Sequence, residues 1–175
     1  MLERALPQRI DLRRLRRDDA EMHGIVELAA MGRLGEALES TAGTVAAELT
    51  ILFDQNGRAV VRGAASVTVT MQCQRCLGPV HVPLEARFEL EVVESEAAAE
   101  ELGRDDEPVV APGGELNVVA MLEDELILCL PVVATHEGSD RCAENSRHFG
   151  PPGEEAPEAE NPFAVLESLK SKNSD

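Results

Sequence analysis

From residue 45 onward every second position is apolar: Val45, Ala47, Leu49, Ile51 and Phe53, with Glu48 and Thr50 between them. Side chains alternate between the two faces of a strand, so a period of two predicts a strand with one buried face. Asp54-Gln55-Asn56-Gly57 follows, and Asn-Gly tolerates the positive φ that a tight hairpin turn demands. A short return strand is predicted over 58–62. The alternation then resumes with Ala65, Val67, Val69, Met71 and Cys73 on one face and Ser66, Thr68, Thr70 and Gln72 on the other. Beyond a Gly-Pro turn it runs through Val80, Val82, Leu84, Ala86, Phe88, Leu90 and Val92, with Glu85, Arg87, Glu89 and Glu91 outward. Antiparallel hairpins are the expected frame.

The flanks follow other periods. Met22, Ile25, Val26, Ala29 and Ala30 recur at roughly helical spacing, which predicts one or two short helices within 19–40, weakened by Gly24, Gly32 and Gly35. Residues 94–108 hold seven acids against one arginine and are predicted to form a mobile acidic loop. In 117–130, Val119, Leu122, Leu126 and Leu130 recur at threes and fours, which predicts a helix capped by Asn117 and stopped by Pro131. Glu123, Asp124 and Glu125 are expected to face away from the core. The fold class is α+β: an antiparallel hairpin sheet, sandwich- or barrel-like, covered by a helix. Three regions are expected: a basic arm with short helices (1–43), the main β domain with its covering helix (44–148), and an acidic linker with an amphipathic, short helical tail (149–175).

Composition narrows the chemistry. The 175 residues include four Phe and no Trp or Tyr, so aliphatic side chains must build the core. The net charge of −17 disfavours a broad surface for nucleic acid or an anionic membrane. The charge is uneven, because residues 1–17 carry six arginines against two acids. Such an arm, with Arg13, Arg14, Arg16 and Arg17, suits either a local RNA-phosphate contact or self-complementary surface pairing; the latter is the more ordinary outcome. The start of the chain lacks an apolar signal core, and the longest charge-free apolar stretch, 126–135, is too short to span a bilayer. A cytoplasmic protein with reduced thiols is the expectation.

Four cysteines remain to be placed. Cys129 sits in an apolar run and is expected to be a small buried hydrophobe. Cys73 and Cys76 lie three apart at the bend between two predicted strands. A redox pair would need a helix N-terminus to lower a thiol pKa, and here the pair joins strands. A tetrahedral metal site needs two further ligands, and His136 and Cys142, in the loop after the helix, are candidates. The alternative is a reduced pair at an ordinary turn. His23, His81 and His148 have no partners at ligand spacing and are assigned to the surface. P-loop, dinucleotide, zincin and serine-hydrolase motifs are absent, so an enzyme is the weaker reading.

Three segments together, "VTVTMQCQRCLGPV", "GELNVVAMLEDELILCLPVVATH" followed by Cys142, and "NPFAVLESLK", resemble the YceD family of large ribosomal RNA subunit accumulation proteins of bacteria and plastids. The resemblance implies a non-enzymatic role in synthesis, processing or stability of large-subunit (23S) ribosomal RNA. It also supports joining Cys73 and Cys76 to His136 and Cys142 around one structural zinc. With an acidic body and few aromatics, the expected partners are basic ribosomal proteins or rRNA-modifying and processing factors. RNA contact would be confined to the arginine arm and Arg75, and the tail face of Phe163, Leu166 and Leu169 would dock on a partner or on its own domain. An acidic chaperone of one basic ribosomal protein and a thiol redox protein are the alternatives.

Overall fold

The alternating segments become long paired strands. The computed structural model describes residues 4–15, 20–54, 57–103, 106–137 and 142. Its elements are β1 (Arg9–Asp11), β2 (Ala20–Glu27), α1 (Gly32–Gly35), β3 (Thr44–Phe53), β4 (Ala59–Gln72), β5 (Pro79–Val93), α2 (Glu96–Glu100), β6 (Glu107–Val110), β7 (Glu115–Asn117) and α3 (Val118–Leu128). An open five-stranded sheet has the order β2-β3-β4-β5-β6, and β1 pairs with β7 in a separate two-stranded ribbon. Among these strands every pairing is antiparallel except β5 with β6, and an isolated bridge joins Ala5 to Ile25 in parallel. The sheet is not a closed barrel.

The buried face is the one the alternation marks, with Val45, Leu49, Ile51, Val61, Val69 and Leu84 almost fully enclosed. Residues 58–62 and 65–73, expected as separate strands, are joined in one strand, β4, that passes through Gly63. Gly63 is registered opposite Phe88, whose ring occupies the space where a Cβ would stand. The neighbouring strand thus supplies the side chain the glycine lacks, and pairing continues across it. α3 packs on β5 and against α1 and β1, burying Val118, Met121, Leu122 and Leu126. Each such side chain contributes about 1.5–3 kcal/mol, so packing more than propensity holds this helix. Asn117 caps it as expected, its Oδ1 accepting the Ala120 N–H at 3.1 Å.

Three expectations are corrected. Residues 20–27 form β2, and helical structure in the 19–40 region shrinks to the short turns between 28 and 35. Edge pairing with β3 overrides the helical spacing: Met22 lies opposite Leu49, and Val26 opposite Val45. Gly24 is needed there because the Arg4 carbonyl crosses directly over it, accepting the Ile25 N–H at 3.0 Å. The acidic loop at 94–108 contains α2, capped by Ser95, and ends in β6, which adds to the sheet edge. Finally, Glu123 does not face away. It is buried, its Oε1 accepting the Leu34 N–H at 3.1 Å and its Oε2 accepting Arg33 Nη2–H at 2.9 Å. Leu34 lies in the first turn of α1, where backbone donors have no partner within the helix, and Glu123 supplies one from α3.

Candidate metal centre

Cys73 and Cys76 occupy the tight turn between β4 and β5. The Cys73 N–H donates to the Gly78 carbonyl and the Leu77 N–H to the Cys73 carbonyl, both at 2.8 Å. These bonds close a knuckle in which Leu77 takes a left-handed backbone, φ 57°. A non-glycine residue there costs on the order of 1–2 kcal/mol, so the surrounding bonds must hold it. The loop after α3 is tied to the knuckle by the Gln74 N–H, which donates to the Ala134 carbonyl at 2.9 Å.

That loop brings His136, and beyond it Cys142, onto the two thiols. The ligand atoms of Cys73, Cys76, His136 and Cys142 all lie within 4.8 Å of one another. Zinc bonds of about 2.3 Å to sulfur and 2.05 Å to nitrogen, at tetrahedral angles, put two sulfurs about 3.8 Å apart and sulfur about 3.6 Å from nitrogen. Here Cys73 Sγ and Cys142 Sγ are 3.8 Å apart, and His136 Nδ1 is 3.5 Å from both Cys76 Sγ and Cys142 Sγ. The donor set and its spacing fit zinc. The imidazole is oriented for the task as well. Nε2 lies 2.9 Å from the Pro79 carbonyl, which can only accept, so Nε2 carries the proton and Nδ1 presents its lone pair to the cluster.

The three thiols are buried, which by itself raises a thiol pKa. For Cys73 burial is outweighed by the backbone N–H groups of Cys76, Arg75 and His136 and by the Cys76 thiol, which hold it down to about 5. For Cys142 burial acts first, and the adjacent Cys73 and Cys76 push it further up. One thiolate forms readily and suppresses the next, the behaviour of a cluster that needs a cation to ionise fully. Cys73, Cys76 and Cys142 form a small apolar cluster with Val80 and Ala134, separate from the main core. So small a cluster is a poor anchor without the ligand bonds. With all four ligands from protein, a bound ion would have no vertex left for water.

The structure therefore brings together the four residues singled out in the sequence as candidate ligands. Cys129 stands apart, only half-buried, its Sγ donating to the Glu85 carbonyl at 3.4 Å. The sequence reading missed the Pro79 carbonyl, the Ala134 carbonyl and the strained Leu77; the Leu-Gly step after Cys76 was the only local signal for any of them. Arg75 is exposed on the knuckle, where its backbone N–H serves the Cys73 sulfur. The basic arm is partly self-neutralised. Arg13 Nε and Arg14 Nε lie 2.9 and 3.4 Å from the Asp11 carboxylate, and Arg9 Nη1 lies 2.6 Å from Glu115. The Arg13 hydrogen bond holds the Asp11 carboxyl below its ordinary range. Arg16, Arg17, Phe163, Leu166 and Leu169 lie outside the described residues. Among the described residues no helix is long and apolar enough to cross a membrane.

Comparison with known proteins points one way. The family described as "Large ribosomal RNA subunit accumulation protein YceD" matches residues 61–170, a span that contains all four candidate ligands and the C-terminal "NPFAVLESLK". A Haemophilus influenzae protein named Large ribosomal RNA subunit accumulation protein YceD is 34% identical over 143 residues, covering 80% of this chain and 82% of its own length. No solved structure matches.

Proposed function

The chain belongs to the YceD family, and from that premise we propose that it supports the accumulation of large-subunit (23S) ribosomal RNA as a non-enzymatic factor in the cytoplasm, acting mainly through protein partners. The observation that carries this reading is the charge distribution. The molecule has a net charge of −17, and Glu21, Glu27, Glu48 and Glu85 are all exposed on the strands of the sheet. Several cations are already engaged: Arg58 and Arg62 pair with Glu91 and Glu89, and Arg9, Arg13 and Arg14 with carboxylates of the β1–β7 ribbon. Such a surface repels an RNA backbone and attracts basic proteins, raising their encounter rate. Ribosomal proteins and rRNA-modifying or processing enzymes have the matching charge. RNA contact is then local, through the arginine arm and Arg75, where surface ion pairs are weak enough to exchange for phosphate.

One zinc ion held by Cys73, Cys76, His136 and Cys142 has a structural role here, locking the β4–β5 knuckle to the loop after α3. The placement of the cysteine pair between strands, instead of at a helix start, favours this over redox chemistry.

Recovery of tagged protein from lysate, with and without ribonuclease, tests the mechanism. Basic ribosomal or processing proteins should remain bound after ribonuclease treatment. Loss of every partner on digestion would overturn protein-mediated action. A single ribosomal protein recovered in stoichiometric amount would instead identify a dedicated chaperone, which the same acidic surface would also serve.

A further inference from the structure

Among the described residues, the exposed large apolar side chains are Leu77, Leu128, Val132 and Val133, at 52, 80, 95 and 55%. Isolated exposed apolar residues are ordinary, but Val132 and Val133 are consecutive in the loop that the Ala134 carbonyl ties to the cysteine knuckle. Leu77 projects from the cysteine knuckle. The other three follow one another from the last residue of α3 toward His136. Of the four, Val133 lines a groove of about 590 Å³ between the start of β5 and residues 131–137, whose walls are apolar at Pro79, Val82, Pro83 and Pro131 and polar at His81, Thr135, His136 and Glu137. Its size is that of clefts that hold ligands, ~300–1,000 Å³.

We propose that this groove is covered by the chain's own C-terminal segment, with the Phe163, Leu166 and Leu169 face seated against Val132 and Val133.

Where the chain leaves the structure argues for this occupant. Cys142 Sγ lies 3.5 Å from His136 Nδ1, and His136 itself lines the groove, so the last described residue stands beside the groove. The roughly twenty residues between Cys142 and Phe163 have linker composition, and a chain of that length has a root-mean-square reach of about 25 Å. A tethered segment within that reach meets the groove at an effective concentration of order millimolar, above that of most free partners in a cell. The chemistry also matches. Phe163, Leu166 and Leu169 recur at threes, one face of a helical turn, and helix-in-groove docking uses that spacing. Lys170 and Lys172, the only lysines in the chain, follow that face in sequence between Glu167 and Asp175, and Glu137 is exposed on the groove wall. A segment apolar on one face suits a groove with apolar walls better than it suits solvent.

The test is amide hydrogen exchange on the full-length protein as purified, read by mass spectrometry at low micromolar concentration and again at tenfold higher. Amides in 163–170 should exchange at least about tenfold slower than an unstructured segment, equally at both concentrations, with the mass of a monomer. The double variant V132D/V133D, altered only at exposed positions, should abolish that protection while leaving the thermal midpoint in place. Phe163→Ser, which alters the proposed docking face itself, should abolish it independently. Exchange of the wild-type segment at the unstructured rate would overturn the proposal and return the tail to an external partner. Protection appearing only at the higher concentration with a dimer's mass would overturn it in favour of a second copy. Protection that survives V132D/V133D would overturn it by placing the segment elsewhere.

Discussion

Replacing Cys142 with Ser removes one vertex of the proposed metal centre without disturbing the sheet. Its Sγ lies 3.8 Å from Cys73 Sγ and 3.5 Å from His136 Nδ1, so it contributes two of the cluster's closest edges. Serine is nearly isosteric, but its hydroxyl stays protonated and is a poor substitute for a thiolate. Structural zinc binds with about 10–16 kcal/mol of apparent free energy, or about 3 kcal/mol for each of four ligands if they share it evenly. The variant should therefore bind zinc about a hundredfold more weakly, since each 1.4 kcal/mol is tenfold. Purified wild-type protein, assayed for metal by mass spectrometry, should carry about one zinc per chain, and Cys142→Ser should lose it to a chelator concentration that leaves the wild type loaded. Cys129→Ser is the control, because that thiol donates to Glu85 on another part of β5. Chelation should speed amide exchange in 131–137 before it affects the core strands, since the ligands join that loop to the knuckle. Wild-type protein that purifies without zinc and keeps its stability on adding chelator would refute the structural-metal reading. So would equal zinc loss in the Cys129 and Cys142 variants.

Glu123→Ala should cost about 2 kcal/mol, because it leaves the Leu34 N–H, in a fully enclosed residue, without an acceptor. Glu123→Gln retains an oxygen and should cost less than half as much, while Arg33→Ala, removing a half-exposed partner, should cost under about 1 kcal/mol; urea denaturation ranks the three. In metal-free protein, the Cys73 thiol pKa is lower folded than unfolded, so its contribution is complete above the ordinary value of 9.0 and disappears as pH falls through about 5. Metal-free stability should consequently rise between pH 5 and 9 through this group, and Cys73→Ser should flatten that rise in a series of thermal melts. The raised Cys142 pKa acts with the opposite sign above pH 9, so a continued rise there would contradict the assignment.

Sequence alone determined the parts of this protein that local rules can decide. The period of two in β3, β4 and β5 follows from alternating faces, and the extent of α3 follows from an apolar stripe between Asn117 and Pro131. The cysteine knuckle was legible too, because its turn lies within a few residues of chain. Elsewhere the deciding partner is distant. Residues 20–27 have nearly helical apolar spacing and become a strand because β3 offers an edge and the Arg4 carbonyl requires Gly24 beneath it. Gly63 looks like a break until Phe88 from β5 fills its place. Glu123 looks like a surface residue of a charged run, and only the docking of α1 on α3 leaves a backbone donor for it to satisfy. The candidate metal centre belongs to both categories. Residue type and spacing singled out its four ligands, but their convergence depends on the Ala134–Gln74 and Pro79–His136 bonds, which join residues about sixty positions apart in sequence. Closing a loop that long carries an entropic cost that no local pattern reveals, and it is met only once the sheet and α3 have set the two loops side by side.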